Sequence, residues 1–494
     1  MRGRWRIRLT LLGCGAVAAT GLAPLGFWPL TLVGLTAGMA IVVAAETGRA
    51  AAYRAWWLGL GWFGLGLNWI VEPFLVDVAT YGWMAPFALV LMAGGLALFW
   101  GGAGALAHRI SDRGFRPLAL ALTLTLAEYL RSVVLTGFPW NLIGHVWIGQ
   151  GVDQIASVIG AHGLTLLTGL ASALAVLAKR AGDAIMAATV IALGLGAWAV
   201  GSALTPSQPT PDPDAPIVRL VQPNAPQDEK WDPEKAPIFL ERQLQFTAAD
   251  TTPDLVVWPE TSVPVFLEYP GSVFERMAEA ARGAPVVFGV QRFREPRFYN
   301  SLAVLTRGAV VSEIYDKYHL VPFGEYMPLG NLFARFGISG LAANEGDGFS
   351  AGPGLRIIDI PGIGPALPLI CYEGIFPHEL GRYDRRPRLM VLITNDAWFG
   401  QVSGPYQHLA QARLRAIEQG LPMVRVANTG ISAMIGPRGT MTSLIPLGQA
   451  GYADVPLPSA LPPTLYARWG DWPIIVLLGV ALLAIAGYPR LKPD

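Results

Sequence analysis

Three side chains in the second half of the chain carry the groups that nucleophilic covalent catalysis needs: the thiol of Cys371, the ammonium of Lys317 and the carboxylate of Glu260. A cysteine attacks as its thiolate, so it requires a base to take the proton and a positive partner to hold the charge. Each residue also has a plainer reading. Cys371 suits a buried inert thiol, Lys317 a surface lysine whose stem lies on apolar neighbours, and Glu260 an acid in the first turn of a helix. Their settings argue for more. Lys317 stands in an unusually apolar and aromatic stretch, Tyr-Asp-Lys-Tyr-His-Leu-Val-Pro-Phe-Gly-Glu-Tyr at 315–326, and Glu260 sits between Pro259 and Thr261 at the end of an apolar run.

The elements that position them follow from pattern. Short apolar, β-rich runs recur at 217–221, 255–258, 286–290, 301–305, 310–315, 366–370, 390–394, 423–427 and 431–435, with helical patterns near 233–249, 271–283 and 404–419. Strands mixed with helices at this spacing predict a layered α/β domain over 204–470. Polar clusters close three of the runs: Pro259-Glu260, Cys371-Tyr372-Glu373 and Asn395-Asp396. Sites in layered α/β domains gather beyond the carboxyl ends of strands. His319, His378 and His408 offer further bases, but none has the sequence setting of a Cys-His protease.

The first part of the chain is different. Of 494 residues, 52% are apolar and only 14% charged, against roughly 25% charged in a soluble domain. The deficit falls on residues 1–203. Apolar segments of spanning length lie near 7–23, 29–46, 55–72, 84–107, 117–135, 155–178, 185–203 and 471–488, which predicts eight transmembrane helices. The loops on one side, from Arg2 to Lys492, collect 13 Lys and Arg; the short loops opposite, near 24–28, 73–83 and 136–154, carry none. The positive-inside rule then places both termini in the cytoplasm and the 204–470 domain across the membrane. The division expected is a seven-helix membrane domain over 1–203, the extramembrane domain, and a final span with a cytoplasmic tail over 471–494. Glu128 and Arg131, three apart within a span, read either as a mutually satisfied pair or as part of a site near the outer surface. A net charge of +1 gives no support for nucleic-acid binding. Two cysteines, Cys14 and Cys371, make no disulfide framework.

Taken together, Glu260, Lys317 and Cys371 resemble the Glu-Lys-Cys triad of the nitrilase superfamily. Trp-Pro-Glu-Thr at 258–261, Lys-x-His-Leu-Val-Pro-Phe-Gly-Glu-Tyr at 317–326, Ile-Cys-Tyr-Glu at 370–373 and Asn-Asp-Ala-Trp-Phe-Gly at 395–400 look like the motifs of the apolipoprotein N-acyltransferases. Gly-Phe-Pro-Trp-Asn at 137–141 and the order of spans, domain and final span extend the likeness over the whole chain. The resemblance implies an α-helical membrane bundle joined to an α/β nitrilase-like αββα sandwich, in a bacterial inner membrane with the catalytic domain in the periplasm. It also implies the reaction: an acyl chain passes from a phosphatidylethanolamine-like phospholipid to the N-terminal α-amino group of an S-diacylglyceryl-cysteine in an apolipoprotein.

In such an enzyme Glu260 takes the thiol proton and Lys317 steadies the thiolate and each oxyanion. Cys371 then carries a thioester between the two half-reactions. By the same resemblance Glu325 and Glu373 are supporting acids, Tyr372 and Trp231 help form the acyl or amine site, and Asn395 and Trp398 line the pocket. No metal or other cofactor is expected, and nothing demands more than a monomer. Segment 329–338, rich in Leu and Phe between glycines, is a candidate lipid gate. The competing readings are a membrane-tethered nitrilase-like amidase with water as acceptor, and a non-enzymatic scaffold, for which erosion of the triad would be expected.

Overall fold

The computed structural model describes residues 2–181, 213–328, 348–381 and 383–487. The chain divides into two compact units, Met1–Pro206 with Pro463–Asp494, and Ser207–Pro462. The expected span at 185–203 and the candidate gate at 329–338 lie outside the described residues.

The first unit is helical. Its long elements are Arg2–Ala19, Trp28–Val43, Gly48–Gly66, Ala85–Ile110, Arg116–Val133, Ala156–Ala181 and Trp472–Gly487. Among the described residues two stretches are long and apolar enough to cross a membrane, Val78–Ile110 and Val152–Ala178, while Trp28–Val43 and Trp472–Gly487 are shorter apolar helices. Proline stands second in three helices, at Pro29, Pro86 and Pro117, within the first turn, where its missing N–H costs nothing. Glycine lets backbones touch: a Cβ on Gly61 would lie 2.0 Å from the Leu12 carbonyl oxygen, so only hydrogen fits at that crossing. Glu128 and Arg131 form a 2.7 Å ion pair with both side chains fully buried. Trp100 Nε1 donates to Glu128, and Arg131 donates to the carbonyls of Phe138, Trp140 and Asn141. The pair is satisfied within the bundle and ties down the 137–141 segment. Residues 463–470, assigned from sequence to the extramembrane domain, group instead with the helices, with Tyr466 packed over Gly160.

The second unit is a sandwich of two six-stranded sheets. Its strands are β1 Ile217–Gln222, β2 Leu255–Val257, β3 Val286–Arg294, β4 Arg297–Thr306, β5 Val310–Asp316, β6 Ile358–Ile360, β7 Gly364–Ile370, β8 Leu389–Thr394, β9 Met423–Ala427, β10 Ser432–Ile435, β11 Met441–Ile445 and β12 Gly451–Pro456. The sheet orders are β12-β1-β2-β3-β4-β5 and β11-β10-β9-β8-β7-β6. Parallel pairing at the centre of each sheet, β1-β2-β3 and β7-β8-β9, explains the unbroken apolar runs, since such strands are covered on both faces. Between the sheets Val218, Leu220, Val257 and Leu302 meet Ile370, Val391, Ile393 and Val424. Helices Ala236–Thr247 and Val273–Ala280 cover the outer face of the first sheet through Leu240, Leu244, Phe274 and Met277. Gly404–Gln419 covers the second through Leu409, Ala412 and Ala416. The layers run helix, sheet, sheet, helix.

All nine expected strands are present. The three not anticipated are β6, with three residues, and the edge strands β11 and β12 with their outward faces exposed. Edge strands need no continuous apolar run, so Met-Thr-Ser-Leu-Ile and Gly-Tyr-Ala-Asp-Val-Pro carry little signal.

Candidate active site

Four strand ends meet here. Lys317, Cys371 and Asn395 directly follow β5, β7 and β8, and Glu260 lies three residues beyond β2. In the first sheet β2 and β3 are parallel while β3, β4 and β5 alternate, so β2 and β5 deliver their carboxyl ends to one edge. β7 and β8 are parallel and do the same in the second sheet.

Lys317 Nζ is 2.9 Å from the Glu325 carboxylate and 3.7 Å from Glu260 Oε1. Asn300, on β4, bridges the two acids: its Nδ2 donates to Glu260 Oε1 at 2.7 Å and to Glu325 Oε1 at 2.9 Å, and its carbonyl accepts from the Lys317 backbone. Glu260 Oε2 accepts from the Asn395 backbone N–H at 2.8 Å, and Glu325 Oε2 accepts from that of Val321 at 2.8 Å. Burial disfavours the charged Lys317, but Glu325, Glu260 and Cys371 outweigh it and hold the ammonium well above its ordinary range. For Cys371 the balance goes the other way. Burial and then Glu260 push its thiol well up, against Lys317 and a hydrogen bond with Thr394. The resting pair is a thiol beside an ammonium.

Cys371 has φ of +51°, a left-handed value that a non-glycine residue adopts at a cost of roughly 1–2 kcal/mol. The strand breaks there into the short turn Cys371–Ile375, a sharp corner of the kind that presents a nucleophile. Glu373 braces it. Its carboxylate accepts from the Ile370 backbone at 2.7 Å, from Tyr315 Oη at 2.7 Å, and from the backbones of Tyr318 and His319 at 2.7 and 3.2 Å. One acid thus links the residues flanking Cys371 to those flanking Lys317. Burial lifts its pKa to about 7 against those donors. A carboxyl raised above its unfolded value contributes stability that is fully present below about pH 4.5 and lost as pH rises through about 7. Melting temperature in wild type should therefore fall more steeply between pH 5 and 7.5 than in Glu373→Gln. Parallel melting curves across that range would exclude Glu373 as the titrating group.

On the opposite side, Gly289 of β3 admits the Glu260 turn. A Cβ there would stand 2.4 Å from Thr261 N and 2.6 Å from Glu260 Cα. Lys230 supports the same turn, donating to the Glu260 carbonyl at 3.2 Å and to Thr261 Oγ1 at 2.8 Å. Its burial lowers its pKa to about 8, with Glu260 opposing.

The remaining expected residues are less tightly joined. Asn395 Nδ2 donates to Gln227 Oε1, and its Oδ1 accepts from Asn428. Tyr372 is buried against the rings of His319 and Phe376. Trp398 is half-buried on the turn Asp396–Phe399. Trp231 stands outside the acid–lysine cluster: it is exposed, lies under Lys230, and lines a cavity with Thr261, Gln243 and Asn428. Of the histidines, His319 pairs with Glu379 at 2.7 Å, and His408 Nε2 faces the Cys371 carbonyl at 3.2 Å.

Asn300, Thr394, Lys230 and His408 were not singled out for the site from sequence, apart from His408 as a discarded base. Asn300 could not be, because an Asn in an alternating strand looks like any outward polar residue.

The sandwich and its cluster define a carbon-nitrogen hydrolase type of domain, and residues 207–461 match the family described as Carbon-nitrogen hydrolase. A carbon-nitrogen hydrolase superfamily protein of Xanthomonas campestris aligns with a TM-score of 0.37 and 20% identity, over 57% of this chain and 98% of its own. Residues 14–174 match the family described as Apolipoprotein N-acyltransferase N-terminal domain. Apolipoprotein N-acyltransferases of Rhodopseudomonas palustris and Bradyrhizobium diazoefficiens are 37% and 38% identical, each covering 97% of this chain and 95% and 94% of their own lengths. That of Caulobacter vibrioides is 38% identical over 96% of the chain and 93% of its own length. The chain belongs to the apolipoprotein N-acyltransferase family.

Proposed function

We propose that this N-acyltransferase works by a two-step transfer through a Cys371 thioester. The donor is a phosphatidylethanolamine-like membrane phospholipid, and the acceptor is the N-terminal amine of a diacylated apolipoprotein. The observation that carries the reading is the Glu260–Asn300–Glu325–Lys317 cluster gathered at the strand ends that deliver Cys371.

The chemistry follows from the charges. In the first half-reaction Glu260 takes the thiol proton as sulfur attacks the ester carbonyl, and Lys317 stabilises the oxyanion. Collapse forms the thioester and releases the lysophospholipid alkoxide, which regains the proton from Glu260. In the second, the lipoprotein amine attacks the thioester and Glu260 accepts its proton; the amide forms as the Cys371 thiolate leaves and takes that proton back from Glu260. Glu325 keeps Lys317 charged and aimed, and Glu373 sets its distance from the thiol through the backbone. Tyr372, Trp231, Asn395 and Trp398 form the surroundings in which acyl chain and amine are held.

The same reading places eight spans in a bacterial inner membrane, seven before the catalytic domain and one after it. Both termini are cytoplasmic and the domain is periplasmic. Its support is the one-sided distribution of Lys and Arg.

Purified protein in phosphatidylethanolamine vesicles tests the transfer. One acyl adduct, removable by neutral hydroxylamine, is expected by intact mass. Addition of a diacylated lipopeptide should move that chain to the peptide amine. Release as free fatty acid, with no peptide product, would make water the acceptor, and hydrolysis of a small amide by the same protein would then support a membrane-tethered amidase instead.

A further inference from the structure

We propose that His408 is a positioning residue for the nucleophile, acting through the Cys371 carbonyl. The inference rests on the reading of Cys371 as the thioester carrier and adds a residue to it. Cys371 occupies left-handed backbone space at φ +51°, so its peptide plane needs an outside hold to stay there. Its carbonyl oxygen points into the domain, where His408 Nε2 lies 3.2 Å away. His408 is buried on the helix Gly404–Gln419.

The ring is itself held. Its Nδ1 is 2.9 Å from Asp396 Oδ1 and 3.3 Å from Arg425 Nη2, and Arg425 Nη2 donates to Asp396 Oδ2 at 2.6 Å. Thr394 Oγ1 donates to Asp396 Oδ1 at 3.0 Å. Burial opposes the Asp396 charge, but Arg425 and His408 hold the carboxyl well below the usual range. An ionised Asp396 and a carbonyl oxygen are both acceptors, which restricts the ring. As the imidazolium it donates to both. As the neutral Nε2–H form it donates to Cys371 while Nδ1 accepts from Arg425. The Nδ1–H tautomer would instead donate to Asp396 and set a bare Nε2 against the Cys371 carbonyl, so the forms that hold that carbonyl are the two with a proton on Nε2.

A trans peptide is planar, so fixing that oxygen also fixes the Tyr372 N–H at the opposite edge of the plane and, through Cα, the direction of the thiol. The chain of contacts runs Arg425, Asp396, His408, Cys371. It lies on the second sheet and its covering helix, opposite the Glu260–Lys317 cluster of the first. One side supplies charge; the other holds the sulfur in register with it.

The test uses His408→Gln, whose amide nitrogen reaches the Nε2 position, and His408→Phe, which fills the space with no donor. Thioester formation in phosphatidylethanolamine vesicles is timed by intact mass across phospholipid concentrations. His408→Phe should cut the maximal rate about 100-fold, as expected for a nucleophile displaced by about 1 Å, with little change in half-saturating phospholipid. His408→Gln should recover at least a tenth of the wild-type rate. If the Phe variant fails to fold, His408→Asn replaces it, because asparagine reaches only the Nδ1 position and should stay as slow. A donor-free or Asn variant as fast as wild type, or Gln as slow as either, overturns the proposal. Cys371→Ala runs alongside: transfer by that variant would instead defeat the thioester reading.

Discussion

Cys371→Ala should form no thioester and transfer no acyl chain, while folding as the wild type does. The thiol is buried, and replacing it with a methyl leaves only a small void in the layer between the sheets. Loss of activity cannot then be laid to collapse of the domain. Cys371→Ser should be nearly as inactive. Burial and the Glu260 charge already hold the thiol protonated, and a hydroxyl in the same place is far harder to deprotonate. Intact mass after incubation with phospholipid reads the first step alone, and a diacylated lipopeptide reads the whole reaction. Acyl transfer by Cys371→Ala at any substantial rate would mean another nucleophile.

The second large effect is expected at Lys317, in two measurements at once. Losing one oxyanion donor costs on the order of 3–4 kcal/mol of transition-state stabilisation, so Lys317→Met should form thioester at least 100-fold more slowly. Stability should fall as well. Glu325 and Glu260 would remain buried around an absent cation, and breaking a buried ion pair from one side costs about 3–5 kcal/mol. The two losses separate in the double variant Lys317→Met, Glu325→Gln. Neutralising Glu325 removes much of the uncompensated charge and should restore melting temperature, yet it supplies nothing to the oxyanion, and the rate should stay low. Recovery of rate together with stability would make Lys317 a structural cation only.

Glu260, like Glu325, is tied by directional bonds. Asn300 and the Asn395 backbone occupy both of its oxygens, which orients the base without neutralising it. In the proposed mechanism Glu260 takes the proton and its neighbour Glu325 holds the cation. The roles cannot be told from residue type, since both are glutamates eight and fifty-seven positions from the same lysine. They differ in what reaches the sulfur.

Much of this was legible along the chain. The proposed nucleophile and base each follow a buried strand within a few residues, the lysine follows the half-exposed β5, and apolar runs such as Leu-Val-Val at β2 or Leu-Met-Val-Leu-Ile-Thr at β8 announce themselves by composition. Local order carries such signals because a covered parallel strand must be apolar on both faces. The charge contrast between the 1–203 segment and the rest is equally local, and so is the bias of Lys and Arg to one set of loops. Tertiary structure alone decided which partners meet. Asn300 bridges two acids 40 residues before it and 25 after it, and His408 reaches a carbonyl 37 residues away. A side-chain hydrogen bond leaves no periodicity in sequence; it depends on the stagger of two sheets and the roll of one helix. The separation of strand ends is also invisible in one dimension, because register between sheets is set by packing of the core between them. Sequence therefore singled out the groups to which we assign the chemistry, and the stacking of the two sheets determined how Glu260, Lys317 and Glu325 meet at the strand ends.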